Sequence, residues 1–511
     1  MKKILGFFTS RIFIVFALIG IQAWLIISIF VYFEDEYQEF RLFLYLASLV
    51  MALWIVNKRQ NSTYKLAWMI PVLIMPVLGI LLYLFFSQRR MSRRTRQRAK
   101  AIYASSAKEF AQEENVTRGL NRQSASVLRQ SEYIRNACMC PAYAQTQTEY
   151  LPSGERFFEA LKEELETAQK YIFMEYFIVK QGAMWDAVLE ILQRKAAQGI
   201  DVRFLYDDVG CARILPFQYY KKLREMGIKC EVFNPLKPEL SSIFNNRDHR
   251  KITVIDGHTA FCGGTNLSDE YINAEERFGH WKDASVMLKG RAAWSFVVMF
   301  LQAWNFMTGE CPHYDDFRPD TSAFEGITTD GYVQPYMDDP MDEEYVSENT
   351  YMNMITRAGR YLYINTPYLI LDNELMAALT NAAKSGVDVR ITTPHIPDKK
   401  AVFMVTRAYY EQLLESGVRI YEYTPGFIHS KTFVCDDTLG IIGTVNLDYR
   451  SLFLHYECGV WMYHTRAVSQ LKEDYIKTLS RCQEISYEQM HHRHWYIKLM
   501  QAILRVFAPL M

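Results

Sequence analysis

Three long apolar runs open the chain, and the pattern then changes character. Residues 12–33 carry no charge over 22 positions, enough to cross a hydrocarbon core of about 30 Å at about 1.5 Å per residue. Residues 42–56 form a shorter run. Residues 66–86 are again uncharged but contain Pro71, Pro76 and Gly79. Together they predict a membrane anchor over 1–88, with transmembrane segments at 12–33, 42–56 and 66–86. Run length and the lack of an A-x-A-like site favour an anchor over a cleaved leader. Beyond residue 150, short β-rich runs alternate with amphipathic stretches: a helix over 157–169, a strand over 171–179, a helix over 185–197 stopped near Gly199, and a strand over 201–206. That alternation predicts an α/β fold, a mixed sheet flanked by helices.

The pattern occurs twice. Tyr171-Ile-Phe-Met-Glu-Tyr-Phe-Ile178 matches Tyr361-Leu-Tyr-Ile-Asn-Thr-Pro-Tyr368, Gly199-Ile-Asp-Val-Arg203 matches Gly386-Val-Asp-Val-Arg390, and 219–227 matches 409–417, at offsets of 190, 187 and 190. Two copies of one unit, 133–325 and 326–486, are therefore expected to pair about a pseudo-twofold axis. An Asp-, Pro- and Gly-rich stretch over 310–345 joins them. Residues 487–511 read as an amphipathic C-terminal helix, with Trp495, Ile497, Leu499, Met500, Ile503, Leu504 and Phe507 beside Arg493, Lys498 and Arg505, a pattern suited to a membrane interface or to packing on the body.

Charge sharpens the picture. The 57 Lys+Arg balance 57 Asp+Glu, yet residues 1–100 hold 14 basic and 4 acidic side chains. A nucleic-acid enzyme would carry its basic excess on the catalytic body, so nucleic acid is not an expected partner. The acidic loop 34–41 is predicted outside, and the loop with Lys58, Arg59 and Lys65 inside. Arg89, Arg90, Arg93, Arg94, Arg96, Arg98 and Lys100 open a basic membrane-proximal linker over 89–132 and also belong inside. Three full crossings would put them outside; a third segment that re-enters on one side removes the conflict. The expected location is the cell membrane, multi-pass, with a cytoplasmic body. Nine cysteines without zinc-ligand spacing point to reduced thiols and no metal, and 50% hydrophobic content excludes a disordered chain.

Each copy carries one constellation of reactive groups. His249-Arg-Lys251-Ile-Thr-Val-Ile-Asp256 leads to Gly263-Gly264-Thr265-Asn266, and His429-Ser-Lys431-Thr-Phe-Val-Cys-Asp436 leads to Gly443-Thr444-Val-Asn446. On a strand, residues i and i+2 share a face, so each His and Lys point together. Asp256 and Asp436 complete the candidate catalytic set, although an offset of seven residues and the Asp-Gly turn suit structural anchors better. Gly264, Thr265, Gly443 and Thr444, with Asn266 and Asn446, are expected to let an anionic ligand approach the backbone closely. Two imidazoles supply a nucleophile and an acid, one neutral and one protonated near neutral pH, and two ammonium groups neutralise a phosphoryl group without a metal. Each imidazole needs a carboxylate on its other nitrogen; Glu457, 28 residues past His429, and Asp283, 34 past His249, are the candidates.

These motifs, together with 57–66, Glu175-Tyr176-Phe177, Tyr206-Asp-Asp-Val-Gly210, Trp281-Lys-Asp283 and the closing Phe507-Ala-Pro-Leu-Met511, resemble the phospholipase D superfamily and, within it, bacterial cardiolipin synthases. The resemblance implies two phospholipase D-like halves and a phosphohistidine intermediate on His249, with His429 as general acid. It also implies transfer of a phosphatidyl group between two phosphatidylglycerol molecules, with phosphatidylglycerol and anionic membrane lipids as partners and no cofactor. Segment 12–33 is extra relative to many members. Hydrolysis by water, phosphodiester cleavage of nucleic acid and an inactive scaffold are the competing readings.

Several further positions have more than one reading. Glu175, a charge in an apolar strand, is expected to touch a head group or lysine, with structural pairing as the other reading. Arg250, at an odd offset from His249, reads as a surface residue, and Asp207 and Asp208 suit either a turn or the site. His491, His492 and His494 resemble a metal tract but lack acidic or cysteine partners.

Overall fold

The computed structural model describes residues 38–58, 60–87, 93–235, 245–328, 330–342 and 344–510, with isolated positions between 17 and 32. The expected segment 12–33 therefore lies for the most part outside the described residues.

Two sheets form the body. The first has seven strands, in spatial order Thr146–Leu151, Ser285–Gly290, Thr259–Gly263, Ile252–Ile255, Tyr171–Tyr176, Asp201–Asp207 and Lys229–Phe233. The second repeats that order as Tyr332–Asp338, Glu457–Tyr463, Leu439–Gly443, Thr432–Cys435, Tyr361–Asn365, Asp388–Pro394 and Arg419–Tyr423, and adds Cys482–Ile485 at the edge. In each, the last three shared strands are parallel and the others antiparallel, so both sheets are mixed. Helices such as Gly154–Thr167, Ala183–Ala197 and Asn373–Lys384 present one apolar stripe to a sheet and leave charges outside.

One apolar core runs through both halves, from Phe173 and Val254 in the first to Ile364 and Val434 in the second. The helix Ala293–Thr308 is buried on nearly every side, as its apolar circumference requires. Where the sheets meet, Cys262 Sγ and Cys458 Sγ are 3.6 Å apart. All nine cysteines are free thiols.

Residues 93–138 are mostly helical, in Arg93–Ser106, Glu114–Gln123 and Ala125–Cys138. Ile102, Val116, Leu120, Val127 and Ile134 are buried against the body. Arg98 donates to Asn305 O at 2.9 Å in the first half, and Gln130 to Asn353 O at 3.0 Å in the second. This stretch straps the two halves together.

In the described N-terminal residues the third apolar run folds back on itself. Among the described residues no helix is long and apolar enough to cross a membrane. Residues 42–56 lie in the helix Gln38–Val56, and 66–86 are split into Ser62–Ile74 and Pro76–Phe86. Pro76 cannot donate into the preceding turn, so the helix breaks at Met75. The two pieces fold back as a hairpin: Trp68 and Tyr83 rings meet edge-on at 5.6 Å, and Tyr64 Oη donates to Ser87 O at 3.4 Å. Gly79 makes the fold-back possible, since a Cβ there would lie 2.1 Å from Pro71 O. Leu42, Phe43, Leu49, Val50, Leu66, Leu73 and Ile74 remain exposed.

Candidate active site

Each histidine-bearing segment leaves its own sheet and pairs with the other half. Gly426–Ile428 runs parallel to His280–Lys282, and His429 N–H donates to Lys282 O at 2.7 Å. Across the pseudo-axis, Asp248 bridges Tyr456 and His249 N–H donates to Tyr456 O at 2.9 Å. The residue after each acceptor is a carboxylate. His429 Nδ1 therefore lies 2.7 Å from Asp283 Oδ2, and His249 Nδ1 lies 2.8 and 3.0 Å from the two oxygens of Glu457. The halves exchange carboxylates, so each imidazole depends on the other copy. A carboxylate on Nδ1 fixes the proton there and leaves Nε2 for chemistry.

The lysines complete the cluster. Lys251 and Lys431 each donate back to the carbonyl oxygen of their own histidine, and Lys431 Nζ also lies 2.9 Å from His429 Nδ1. Both imidazoles, both ammonium groups and both carboxylates are buried. Burial, then Lys251, Lys431 and His429, hold His249 well below the ordinary imidazole range. His429 falls to about 4 through burial and Lys431, against the pull of Asp283. Burial lowers Lys251 to about 8 and, with Lys251 adding to it, Lys431 to about 7. In the free site both rings are therefore neutral, in place of the one-protonated pair expected from ordinary values. Although burial opposes it, His429 and Lys431 hold Asp283 below the usual carboxylate range.

Several expected site residues have other work. Asp256 accepts the backbone N–H groups of Gln169, Lys170 and Tyr171 at 2.7–2.8 Å, and Asp436 those of Gly359, Arg360 and Tyr361 at 2.7–3.0 Å. Both sit at the far end of the strand from the histidine, in left-handed turns with φ of 49° and 53°, and tie that turn to the start of the neighbouring strand. Gly264 makes room for the orienting carboxylate, since a Cβ there would lie 2.1 Å from Asp283 Oδ1; at Gly443 it would lie 2.6 Å from Cys458 O. Thr265 Oγ1 meets Ser285 Oγ at 3.2 Å, and Thr444 Oγ1 donates to Glu457. Gly264 and Thr444 thus help to seat the two orienting carboxylates. Asn266 accepts from Ile178 N–H at 2.9 Å and donates to Tyr271 Oη at 2.7 Å, whereas Asn446 Oδ1 is buried without a partner among the described residues.

Glu175 pairs with an arginine and not with a lysine: its Oε1 is 2.6 Å from Arg250, which also pairs with Asp248 at 3.0 Å. Arg250 is buried, so the surface reading of it is corrected as well. Burial and Asp248 push Glu175 up, while Arg250 holds Asp248 down despite its burial. Asp207 accepts from Gly210 N–H and Asp248 N–H at 3.0 and 3.1 Å, bracing the segment that carries His249.

A family model described as "Cardiolipin synthase, PLD-like domain" matches residues 161–283 and 351–479, and one described as "Phospholipase_D-nuclease N-terminal" matches 46–88. A cardiolipin synthase of Halalkalibacterium halodurans is 34% identical over 460 residues, 89% of this chain and 90% of that protein. An uncharacterised protein of Streptococcus mutans is 40% identical over 460 residues, 90% and 99% of the two chains. The chain belongs to the PLD-like cardiolipin synthase family. The crystal structure of phosphatidylserine synthase from Haemophilus influenzae shares the fold, with a TM-score of 0.56 at 15% identity over 75% of this chain and 97% of that one.

Two side chains to which the sequence reading gave no role in the site distinguish the halves of this family member. His455 lies 5.4 Å from His249 between ring centroids, with Nδ1 3.7 Å from Glu457. Its equivalent, two residues before Asp283, is Trp281, 5.2 Å from His429. Burial pushes His455 down to about 3, so it is a neutral ring. Two residues before an orienting carboxylate was the available signal, but the exchange between halves hid which imidazole it would face. His249, His455 and Glu457 bring donor atoms within 4.8 Å of one another. A cation there would face Lys251 and Lys431 and take Nδ1 from its carboxylate, so the set fits a proton better than a metal.

Proposed function

We propose that the protein is a membrane-bound phosphatidyltransferase that moves a phosphatidyl group from one phosphatidylglycerol to a hydroxyl of a second, giving cardiolipin and glycerol. The observation that carries this reading is the pair of imidazoles, each oriented by a carboxylate of the other half, enclosed with two buried lysines.

His249 Nε2 attacks phosphorus, forming an N–P bond while the P–O bond to glycerol breaks. His429 hands the departing oxygen its proton. The second phosphatidylglycerol then returns a proton to His429 as its hydroxyl oxygen attacks phosphorus and releases His249. Lys251 and Lys431 neutralise the phosphoryl oxygens, and the bound phosphodiester raises the imidazole and lysine proton affinities that the empty site depresses. Lys431 beside His429 Nδ1 has no counterpart at His249, and supports giving the two rings different roles.

The exposed apolar side chains of the helical hairpin, and Trp495, Leu499, Met500 and Ile503 on the C-terminal helix, support seating in a bilayer. The basic run after the hairpin supports a cytoplasmic body. The test is incubation of purified protein with phosphatidylglycerol vesicles and mass spectrometry of the products. Cardiolipin and glycerol in equal amounts are expected; phosphatidic acid alone would make the protein a hydrolase.

A further inference from the structure

A cavity that shares no lining residue with the catalytic cluster lies where three elements of different chain regions meet. It measures about 420 Å³ and is bounded by the first arm of the hairpin, the helix Lys400–Glu415 and the C-terminal helix Trp495–Val506. One side is apolar: Leu66, Ile70 and Val506, each partly exposed at its rim. The other side is cationic, with Arg493, Lys498 and Arg505 against the single carboxylate of Glu411.

Those charges are not equally engaged. Arg493 is spent on structure, donating to Met490 O and Gln501 Oε1 at 2.7 Å and pairing with Glu411 at 3.3 Å. Glu411 also receives His491 at 3.0 Å, and Lys498, at 3.3 Å, is more than a third exposed. Arg505 lies 4.5 Å over the Tyr409 ring and has no carboxylate partner among the described residues. Lys498, which shares Glu411 with Arg493 and His491, and Arg505 thus face the apolar wall with one carboxylate in the lining.

We infer that this cavity binds one anionic phospholipid as a non-reacting lipid, its phosphate between Lys498 and Arg505 and its acyl chains along Leu66, Ile70 and Val506. A free aqueous anion would gain nothing from the apolar wall, and a zwitterionic lipid would bring a cation to a site already in positive excess. Both rims continue into exposed apolar faces, Leu73 and Ile74 on one side and Leu499 and Ile503 on the other, so the chains leave the cavity toward the same bilayer. The inference rests on the membrane seating proposed above and adds a lipid site outside the catalytic cluster.

The test reconstitutes the full chain in phosphatidylcholine vesicles containing a small fraction of phosphatidylglycerol with a photoreactive diazirine in one acyl chain. After irradiation, labelled peptides are mapped by mass spectrometry. Labelling is expected within 63–70 and 498–506, at least five-fold weaker with the Lys498→Ala/Arg505→Ala pair and retained with Lys498→Arg/Arg505→Lys. Equal labelling by diazirine phosphatidylcholine, no labelling of these segments, or no effect of the alanine pair would overturn the site. Cardiolipin formation, followed in parallel, tests the proposed reaction separately: product without this labelling removes only the lipid site, and labelling without product removes only the reaction.

Discussion

An ammonium group buried beside a second one gives up its proton readily, and Lys431 and Lys251, at about 7 and 8, therefore titrate within the physiological range. Both must be charged to receive a phosphodiester, which stays anionic throughout. kcat/KM for phosphatidylglycerol should fall more steeply as pH rises through 7–8, where the two lysines lose their charge, by up to about ten-fold further per unit. A Lys431→Arg variant, slower overall, should lose that part of the decline, because a guanidinium keeps its proton. Steady-state rates across pH decide it; a rise through this window would contradict the assignment. Asp283→Asn and Glu457→Gln should each cut kcat by about 10²–10⁴ by releasing the tautomer of the imidazole they orient, with KM little changed. The two motif histidines and lysines were legible because positions i and i+2 of a strand share a face and the motif recurs at matching distance. The buried Glu175–Arg250–Asp248 set was not, since an odd offset on an irregular segment says little about where a side chain ends.

At the scale of the strand and turn, Asp256 and Asp436 hold neighbouring strands in register. Asp256→Ala removes the acceptor of three backbone N–H groups. It should lower unfolding free energy by about 3 kcal/mol while leaving kcat/KM of the folded fraction within about three-fold; denaturant melts beside activity measurements separate the two. Gly264→Ala should do the reverse, because its Cβ would collide with Asp283 Oδ1 and tilt His429: a loss of about 10²-fold in kcat with a smaller loss of stability. The mixed α/β order was readable from alternating β-rich and amphipathic stretches, down to the helix that ends before Gly199. What periodicity within one copy cannot reveal is pairing between copies. For that reason Glu457 and Asp283 appear in sequence downstream of one histidine and in space beside the other.

Over the whole molecule, two copies of a sheet share a core, a helical strap crosses both, and an apolar hairpin stands at one end. The break at Pro76 and the close approach at Gly79 were visible as interruptions of an apolar run, and folding back follows from them. The charge pattern supports the proposed cytoplasmic body, and exposed Cys311 reports on it directly. A membrane-impermeant maleimide should leave Cys311 unlabelled in intact cells and label it after lysis; labelling from outside would reverse the topology. The central claim is that one phosphorus atom is held by His249 while His429 moves the protons. It is tested most directly with a phosphatidyl ester of p-nitrophenol, whose departure needs no acid. In His429→Ala the account predicts a burst of one p-nitrophenol per chain and a stable phosphatidyl adduct on the peptide carrying His249, with no burst in His249→Ala. A burst that survives in His249→Ala, or an adduct on any other residue, would contradict it.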